Sequence, residues 1–479
     1  MRRAFIKYLS IAFIAVTVTA CTIPAGLTVH NTENKTTPDQ FNGANPADTV
    51  NTGTIRWREF FTDPYLAALI DSALHNNQEL NITLREITIA QNEIRARKGE
   101  YLPFLGAGAG AGIEKPGQYT VNGAVEKNLE VKDGKEFPDP LPDYMIGLNA
   151  SWEVDIWRKL RNAKKSAVYR YLSSVEGKNF MVTNLIAEIA TSYYELMALD
   201  NQLEILKQNI EIQTNALQIV RMQKLAARVT ELGVLRFEAE VLKNQGRIYY
   251  IQQHIVEVEN HINFLVGRFS QPVLRNSQTF ATLVPDSIHA GIPSHLLLNR
   301  PDIRQAEQEL LASKIDVKVA KAQFYPSLRI TGALGYQAFN PKFLISPESM
   351  MYTAAGELMA PLINRNALKA FYYNANARQV QSVYNYERSI LNAYIEVANQ
   401  VSNISNLKKR YERKEKQVQT LVESITVSTT LFRSARADYM EVLLTQRDAL
   451  EARFELIETK MQQMNALVNI YQALGGGWN

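Results

Sequence analysis

The sequence predicts an α+β chain that builds one plan twice, a pair of membrane-type β-strands followed by a long antiparallel helical hairpin. Three observations carry this. Residues 99–105, Gly-Glu-Tyr-Leu-Pro-Phe-Leu, are answered by 322–328, Ala-Gln-Phe-Tyr-Pro-Ser-Leu, so a unit of roughly 200 residues is duplicated. Runs of strict period-2 alternation precede each half's helical part, the pattern of strands with one apolar and one polar face. Finally, no proline falls between Pro142 and Pro272, and neither proline nor glycine between Pro361 and Gly475, which argues for very long helices.

The elements follow in order. Residues 1–20 read as a signal peptide, with Arg2, Arg3 and Lys7 ahead of an apolar run over 9–18 that is too short to span a bilayer. Val18-Thr19-Ala20-Cys21 follows, and Cys21 is the only cysteine. A small residue before a lone cysteine resembles the lipobox of bacterial lipoproteins, which implies a covalent lipid on Cys21 and that residue as mature N-terminus. The alternative is a signal-peptide cysteine lost on ordinary cleavage. No cofactor beyond that lipid is expected. After residue 21 no segment has the length and apolarity of a membrane helix, which leaves a β-barrel open. The net charge is +4 with no dense Lys/Arg block, so nucleic acid is not an expected partner.

Residues 21–100 comprise a tether rich in Asn, Thr, Pro and Gly, then a first helical segment marked by Leu66, Leu69, Ile70, Leu74, Leu80, Leu84 and Ile87. Residues 101–155 hold the first strand pair. Its first strand, 105–113, is nearly pure Gly/Ala alternation; in its second, Ile146, Leu148, Ala150 and Trp152 alternate with Gly147, Asn149, Ser151 and Glu153. The stretch 114–143 between them reads as an exposed loop. The first hairpin occupies 156–268, with Ile189, Leu196, Leu199, Leu203, Leu206 and Ile210 as its seam and a turn near 226–230. An equatorial linker, 269–300, and a helical segment, 301–324, lead to the second strand pair, 325–361, where Leu328, Ile330, Gly332, Leu334 and Tyr336 alternate.

The second hairpin, 362–474, turns near 434–438, and a short tail, 475–479, ends the chain. Leu450, Phe454, Ile457, Met461, Met464, Val468 and Tyr471 keep the alternating four-three spacing of a left-handed coiled coil. Each hairpin should comprise two helices of about 50–65 residues. Four strands cannot close a barrel without exposed edges, so the chain should oligomerise, and three copies would supply about twelve strands.

The duplication is uneven. Pro103 and Pro326 are 223 positions apart, whereas Lys159-Leu160-Arg161-Asn162-Ala163 and Ile363-Asn364-Arg365-Asn366-Ala367 are 204 apart, so the first loop should carry 19 extra residues. From Glu188 and Glu396 onward the offset is 208. The second hairpin should therefore contain about one extra helical turn, which together with Glu441 and Arg436 at its tip marks it as the expected moving element.

Several motifs resemble those of a known family. Arg300-Pro301-Asp302-Ile303-Arg304-Gln305-Ala306-Glu307, followed by 320–328, Ala-Lys-Ala-Gln-Phe-Tyr-Pro-Ser-Leu, resembles the RPDI-x-QAE…A-x-A-x-FFPS motif of outer-membrane factors of the TolC/OprM type. Residues 151–161, Ser-Trp-Glu-Val-Asp-Ile-Trp-Arg-Lys-Leu-Arg, are similar to that family's SWE-x-D segment, and 57–64, Trp-Arg-Glu-Phe-Phe-Thr-Asp-Pro, to its W-x-x-FF-x-DP opening. The lipobox points to the lipoprotein, NodT-like branch. The resemblance implies a homotrimer with a 12-stranded β-barrel, four strands per chain, continuous with a 12-helix periplasmic α-barrel of coiled-coil hairpins. It implies location in the outer membrane, lipid-anchored and reaching into the periplasm, and partners in a periplasmic adaptor and an inner-membrane RND pump. The expected function is the exit duct of a tripartite efflux system for drugs or other small molecules. Ducts for protein or metal-ion export, and a non-porous lipid-anchored coiled-coil scaffold, remain as alternatives.

By the same resemblance, Glu441 stands where the family has its periplasmic gating acid, with Arg436, Asp438 and Phe432 as neighbours; an ordinary solvated helix end is the alternative. Many relatives have Gly where this chain has Ala227 and Ala435, and Asp where it has Leu444, so a second pore acid is missing. Adaptor docking is implied at the two hairpin turns, around Ala227, Thr230, Ala435 and Tyr439. No phosphate loop, nucleophile elbow or Cys/His cluster points to an enzyme. His254, Glu257 and His261 share a helix face, but ligands from one helix rarely complete a metal's coordination, and no metal is expected.

Overall fold

The computed structural model describes residues 24–25, 30, 32–41, 50–132, 134–283, 289–434 and 436–478. The signal segment and Cys21 lie outside the described residues, as does Ala435. The described residues divide between two compact units: those within 1–32, 88–172 and 308–383 in one, and those within 33–87, 173–307 and 384–479 in the other. This division differs from the linear list of segments, because its boundaries fall inside long helices rather than between elements.

The first unit contains a four-stranded antiparallel sheet: β1 (Phe104–Glu114), β4 (Leu141–Val154), β5 (Ser327–Ala338) and β6 (Met350–Met359), ordered β1-β4-β5-β6. Each repeat contributes one hairpin, and β4 with β5 joins them. Glycine is required where they meet. Gly147 lies opposite Gly335, and a Cβ on either would come within 2.8 or 2.5 Å of the backbone oxygens of Leu334 and Ile146. The first connecting loop is not irregular, as its Gly/Pro/Lys content suggested. It carries helix α3 (Val121–Asn128), capped by the Thr120 side chain on the Gly123 amide, and a small hairpin of β2 (Glu130–Lys132) and β3 (Lys135–Glu136).

Just after β4, Asp155 caps the next helix, its carboxylate accepting the Leu160 and Arg161 amides at 3.0 and 2.9 Å. Trp157 stacks on Tyr325 at 4.6 Å and donates its indole N–H to the Pro326 carbonyl. Phe324 is buried against Tyr372 with the Arg365 guanidinium over its ring. The SWE-x-D and FFPS-like motifs thus pack together where strands give way to helices.

The second unit is helical. Helices α1 (Pro64–Asn76) and α2 (Gln78–Glu100) open it. The first hairpin is α4 (Lys159–Leu225) and α5 (Glu231–Val266), and α6 (Pro301–Ala322) precedes the second, α7 (Asn366–Arg433) and α8 (Tyr439–Ala473). Short helical turns fill the linker at Ser277–Thr282, Pro293–His295 and Leu296–Asn299. The seam residues are buried as their spacing requires, Ile189, Leu196 and Leu206 among them in the first copy and Leu450, Val468 and Tyr471 in the second. Asp63 caps α1 through the Tyr65 and Leu66 amides, with Pro64 at its first turn, where a missing N–H does no harm. Asp63 also accepts the Tyr193 hydroxyl at 2.9 Å. Burial, then the Asp63 charge, pushes that phenol well above its usual range.

Two expectations about the hairpins fail. Their arms are unequal, 67 and 36 residues in the first and 68 and 35 in the second. The return arms stop early because a helix from elsewhere in each repeat takes over. At α5 the end is fixed by Gly267 in the left-handed region (φ 76) and by the Asn77 side chain, which donates to the Leu265 carbonyl at the α1–α2 break. At α8 the buried Arg300 guanidinium donates to the Ala473 carbonyl beside the start of α6, while pairing bidentately with Asp302 and reaching Glu396 at 2.6 Å. That is the structural work of the RPDI motif.

The extra turn in the second hairpin does not exist either. Phe104 pairs with Ser151 and its equivalent Ser327 with Met359, so the offset is already 208 at β4 and β6. Both long helices also end 208 apart, at Leu225 and Arg433. The Arg-Asn-Ala likeness misleads because Arg161 lies inside α4 whereas Arg365 precedes α7. The first loop's excess is 15 residues, 115–140 against 339–349.

Candidate functional site

The strand register sorts the sheet into two faces. Leu105, Ile146, Leu148, Ile330, Leu334, Tyr352 and Leu358 stand on one, exposed although apolar. The other carries Asn149, Ser151, Glu153, Arg329, Thr331, Thr353 and Glu357 among the glycines of β1. Gln337 donates to Asp143 at 2.9 Å on this polar face. Glu153, Arg329 and Glu357 are directly opposite one another in three adjacent strands, and Lys159 pairs with Glu153. Period-2 alternation predicts the two faces; the Glu-Arg-Glu row depends on register, to which alternation is blind.

The hairpin turns are a separate candidate region. At the first, Ala227 adopts the left-handed region (φ 54), and the amides of Ala227 and Arg228 return to the Lys224 and Gln223 carbonyls at 2.9 Å, the bonds of a Schellman cap. At the second, the Arg436 amide returns to Leu431 at 2.9 Å in the same pattern. The turns differ in side chains. Lys224 pairs with Glu231 across the first turn, and Arg221 with Glu238 at 3.3 Å. The positions 208 later are Phe432 and Tyr439, Thr429 and Gln446, which cannot form those ion pairs.

The return arms α5 and α8 touch near the turns. Leu217, Val220, Val234, Phe237, Val241 and Leu443 form a buried cluster, with Val229, Tyr439 and Met440 against it. Tyr439 packs over Gly233, where an added Cβ would lie 3.1 Å from the phenol ring, and tilts against Phe237 at 6.5 Å. Further along, Arg247 bonds Glu451 at 2.8 Å and covers Phe454.

Against this geometry, Glu441, Arg436 and Asp438 are exposed, and among the described residues they form no ion pair within the chain. Asp438 precedes α8 without a side-chain cap bond. Phe432 is half-buried in the last turn of α7. Of the residues assigned to docking, Ala227 and Thr230 are exposed, whereas Tyr439 is half-buried between the return arms. Phe237, Met440 and Leu443 escape sequence reasoning; only their spacing relative to a helix of the other repeat gives them a role. The histidines serve helix pairing: His254 lies 3.2 Å from Glu195 and 3.4 Å from Glu257, and His261 lies 3.1 Å from Glu188. Glu257 is held below the usual carboxylate range by hydrogen bonds from Gln253 and then His254.

Comparison with known proteins agrees with this architecture. The chain is 25% identical over 444 residues to the solvent efflux pump outer membrane protein SrpC of Pseudomonas putida, covering 92% of each. It is 25% identical over 425 residues to the cation efflux system protein CusC of Escherichia coli, covering 88% of each. Among solved structures, the open state of the Neisseria gonorrhoeae outer membrane channel MtrE superposes with a TM-score of 0.82 at 22% identity, over 96% of this chain and 98% of that one. The description of the family "Outer membrane efflux protein" matches residues 69–268 and 292–476. With both halves of the duplication inside those matches, the chain belongs to the outer membrane efflux protein family.

Proposed function

We propose that three copies of this chain assemble into an outer-membrane exit duct of a tripartite, RND-type efflux system, taking small molecules from an inner-membrane pump through a periplasmic adaptor. The observation that carries the reading is the four-stranded sheet with one apolar face, one polar face and two unpaired edges. In hydrocarbon an open edge leaves backbone groups without partners, so the sheet is complete only within a ring of chains. The apolar face then meets lipid and the polar face lines the lumen.

The hairpin tips are the periplasmic mouth in this reading. Glu441 and Arg436 are free to pair between subunits, since neither has an ion-pair partner among the described residues. Adaptor hairpins dock at the exposed turn around Ala227 and Thr230 and at its counterpart around Ala435. Tyr439 acts there by holding the two return arms together. Cys21 carries the lipid after removal of residues 1–20, which intact-mass measurement of membrane-extracted protein tests. The SrpC and CusC names make organic solutes and metal cations the two cargo classes to compare. The polar face presents carboxylates, amides and hydroxyls together with the thioethers of Met145, Met351 and Met359, so its chemistry suits both classes.

Single-channel recording of the purified protein in planar bilayers tests the central reading. Stable conductance steps are expected. A lipid-anchored scaffold gives none, and their absence from correctly assembled protein refutes the duct.

A further inference from the structure

The edge strand β1 lacks the devices that keep an edge unpaired, and the other edge, β6, carries a single charge, Glu357. β1 carries no proline, no bulge and no charge before Glu114, and is wholly Gly and Ala over 106–112; such an edge is a template for another strand. As one protomer of a closed barrel, the reading on which this register rests, the chain must bring its two edges together across a subunit boundary.

The duplication supplies the register. β1 corresponds to β5 at an offset of 223, since residues 99–105 match 322–328. β4 corresponds to β6 at 208, because Phe104 pairs with Ser151 while Ser327 pairs with Met359. The junction between repeats inside the chain is β4 with β5, where Ser151 faces Thr331, Ala150 faces Gly332 and Asn149 faces Ala333. Adding 208 to each β4 residue and subtracting 223 from each β5 residue gives the equivalent junction between chains. We propose that β6 of one protomer pairs antiparallel with β1 of the next, Met359 opposite Gly108 of the partner subunit and Glu357 opposite Gly110 of the partner subunit.

Two independent features fit this register. Leu358 falls opposite Ala109 of the partner subunit, so apolar and polar faces run on unbroken across the seam; a slip of one residue would put each on the wrong side. The pairing also sets Met359, Glu357 and Ala355 over three glycines, Gly108, Gly110 and Gly112. A Cβ at any of these three would meet nothing within 4 Å, whereas one at Gly106 would meet the Asn149 side chain at 2.8 Å. Gly106 is the glycine of this strand that the register leaves beyond the end of β6. The glycine run is thereby explained as room for the partner's longer lumenal side chains.

Paired cysteines test the register in the full-length, membrane-assembled protein. Glu357→Cys with Gly110→Cys should yield disulfide-linked dimers and trimers on mild oxidation, at least tenfold more than the two-residue shifts, Glu357→Cys with Gly108→Cys or with Gly112→Cys. Each single substitution serves as a control that also carries the natural Cys21. Stronger linkage in a shifted pair, or none in any pair of a protein that is trimeric by mass in detergent, overturns the register and leaves the trimer standing. A monomeric mass for the unsubstituted protein instead overturns the barrel reading beneath it.

Discussion

Arg329→Gln is the substitution that most directly interrogates the sheet. On the polar face each chain places four carboxylates, Glu114, Asp143, Glu153 and Glu357, against one guanidinium, Arg329. Arg329 stands between Glu153 and Glu357 in register, so its removal takes the one guanidinium from between two carboxylates, of which Glu153 keeps its pairing with Lys159. In a twelve-stranded barrel with strands ~4.8 Å apart and tilted ~40°, the circumference is roughly 75 Å and the radius ~12 Å. Three lost charges at ~12 Å in water, screened over a Debye length of ~10 Å at 0.1 M salt, change the energy of a monovalent ion on the axis by about 0.3 kcal/mol. Cations gain and anions lose that amount, so the cation-to-anion permeability ratio should rise about two- to threefold. At 1 M salt the Debye length is ~3 Å and the difference should vanish.

Reversal potentials across a salt gradient, measured in planar bilayers at both ionic strengths, provide the readout. A ratio that stays constant at 0.1 M, or moves toward anions, would show that Arg329 does not face the lumen and that the sheet has been assigned inside out. A shift that persists at 1 M would point instead to a structural change in the barrel.

Three further outcomes are expected. Glu441→Ala combined with Arg436→Ala should raise single-channel conductance; unchanged conductance together with unchanged drug susceptibility of the host removes these residues from the mouth of the pore. Tyr193→Phe should cost about 1.5–3 kcal/mol at neutral pH by leaving Asp63 without its buried donor. Because the folded phenol titrates above the unfolded one, that advantage is full below pH ~10 and declines as pH rises further, so the melting-temperature gap between the two proteins should narrow from pH 9 to 11. Ala227→Gly should preserve hydrogen-exchange protection at the Arg228 amide, whereas Ala227→Val should lose it, since a β-branched residue at positive φ is strained by roughly 1–2 kcal/mol; equal protection in both refutes the left-handed cap.

Period-based features are legible because each depends on one element at a time. The Leu450–Tyr471 seam and the strands around Ile330 follow from spacing alone, and both turns fall at their expected positions. The lengths of the return arms are not legible, because Asn77 and Arg300, which end them, lie more than 170 residues away in sequence from the carbonyls they bind. The Arg161 and Arg365 likeness shows the opposite hazard. A short local match mimics structural equivalence, whereas strand pairing fixes the alignment over whole elements and removes the extra turn inferred from it. The site divides the same way: Glu441 and Arg436 are proposed from the family resemblance, while the contact of Tyr439 with Gly233 cannot be seen without the packing of α8 on α5.

That contact bears on which interactions hold the second tip. An extra helical turn no longer distinguishes the second hairpin, but side-chain chemistry does, since the ion pairs Lys224–Glu231 and Arg221–Glu238 have no counterparts there. What holds the start of α8 is instead the apolar cluster of Leu443, Tyr439 and Met440 on Phe237, Val234 and Val229. Moving α8 away from α5 would return Leu443 to water at a cost of about 1.5–3 kcal/mol for that side chain alone. An exposed ion pair such as Glu441 with Arg436 of a neighbouring chain contributes about 0–1 kcal/mol. If the second tip moves relative to the first when the duct opens, the apolar hinge therefore sets most of the barrier and the charged pair trims it. Tyr439→Ala should accordingly raise conductance or open probability more than the double charge substitution does. The reverse order would mean that the hairpins move as one body and that the seal lies wholly between subunits.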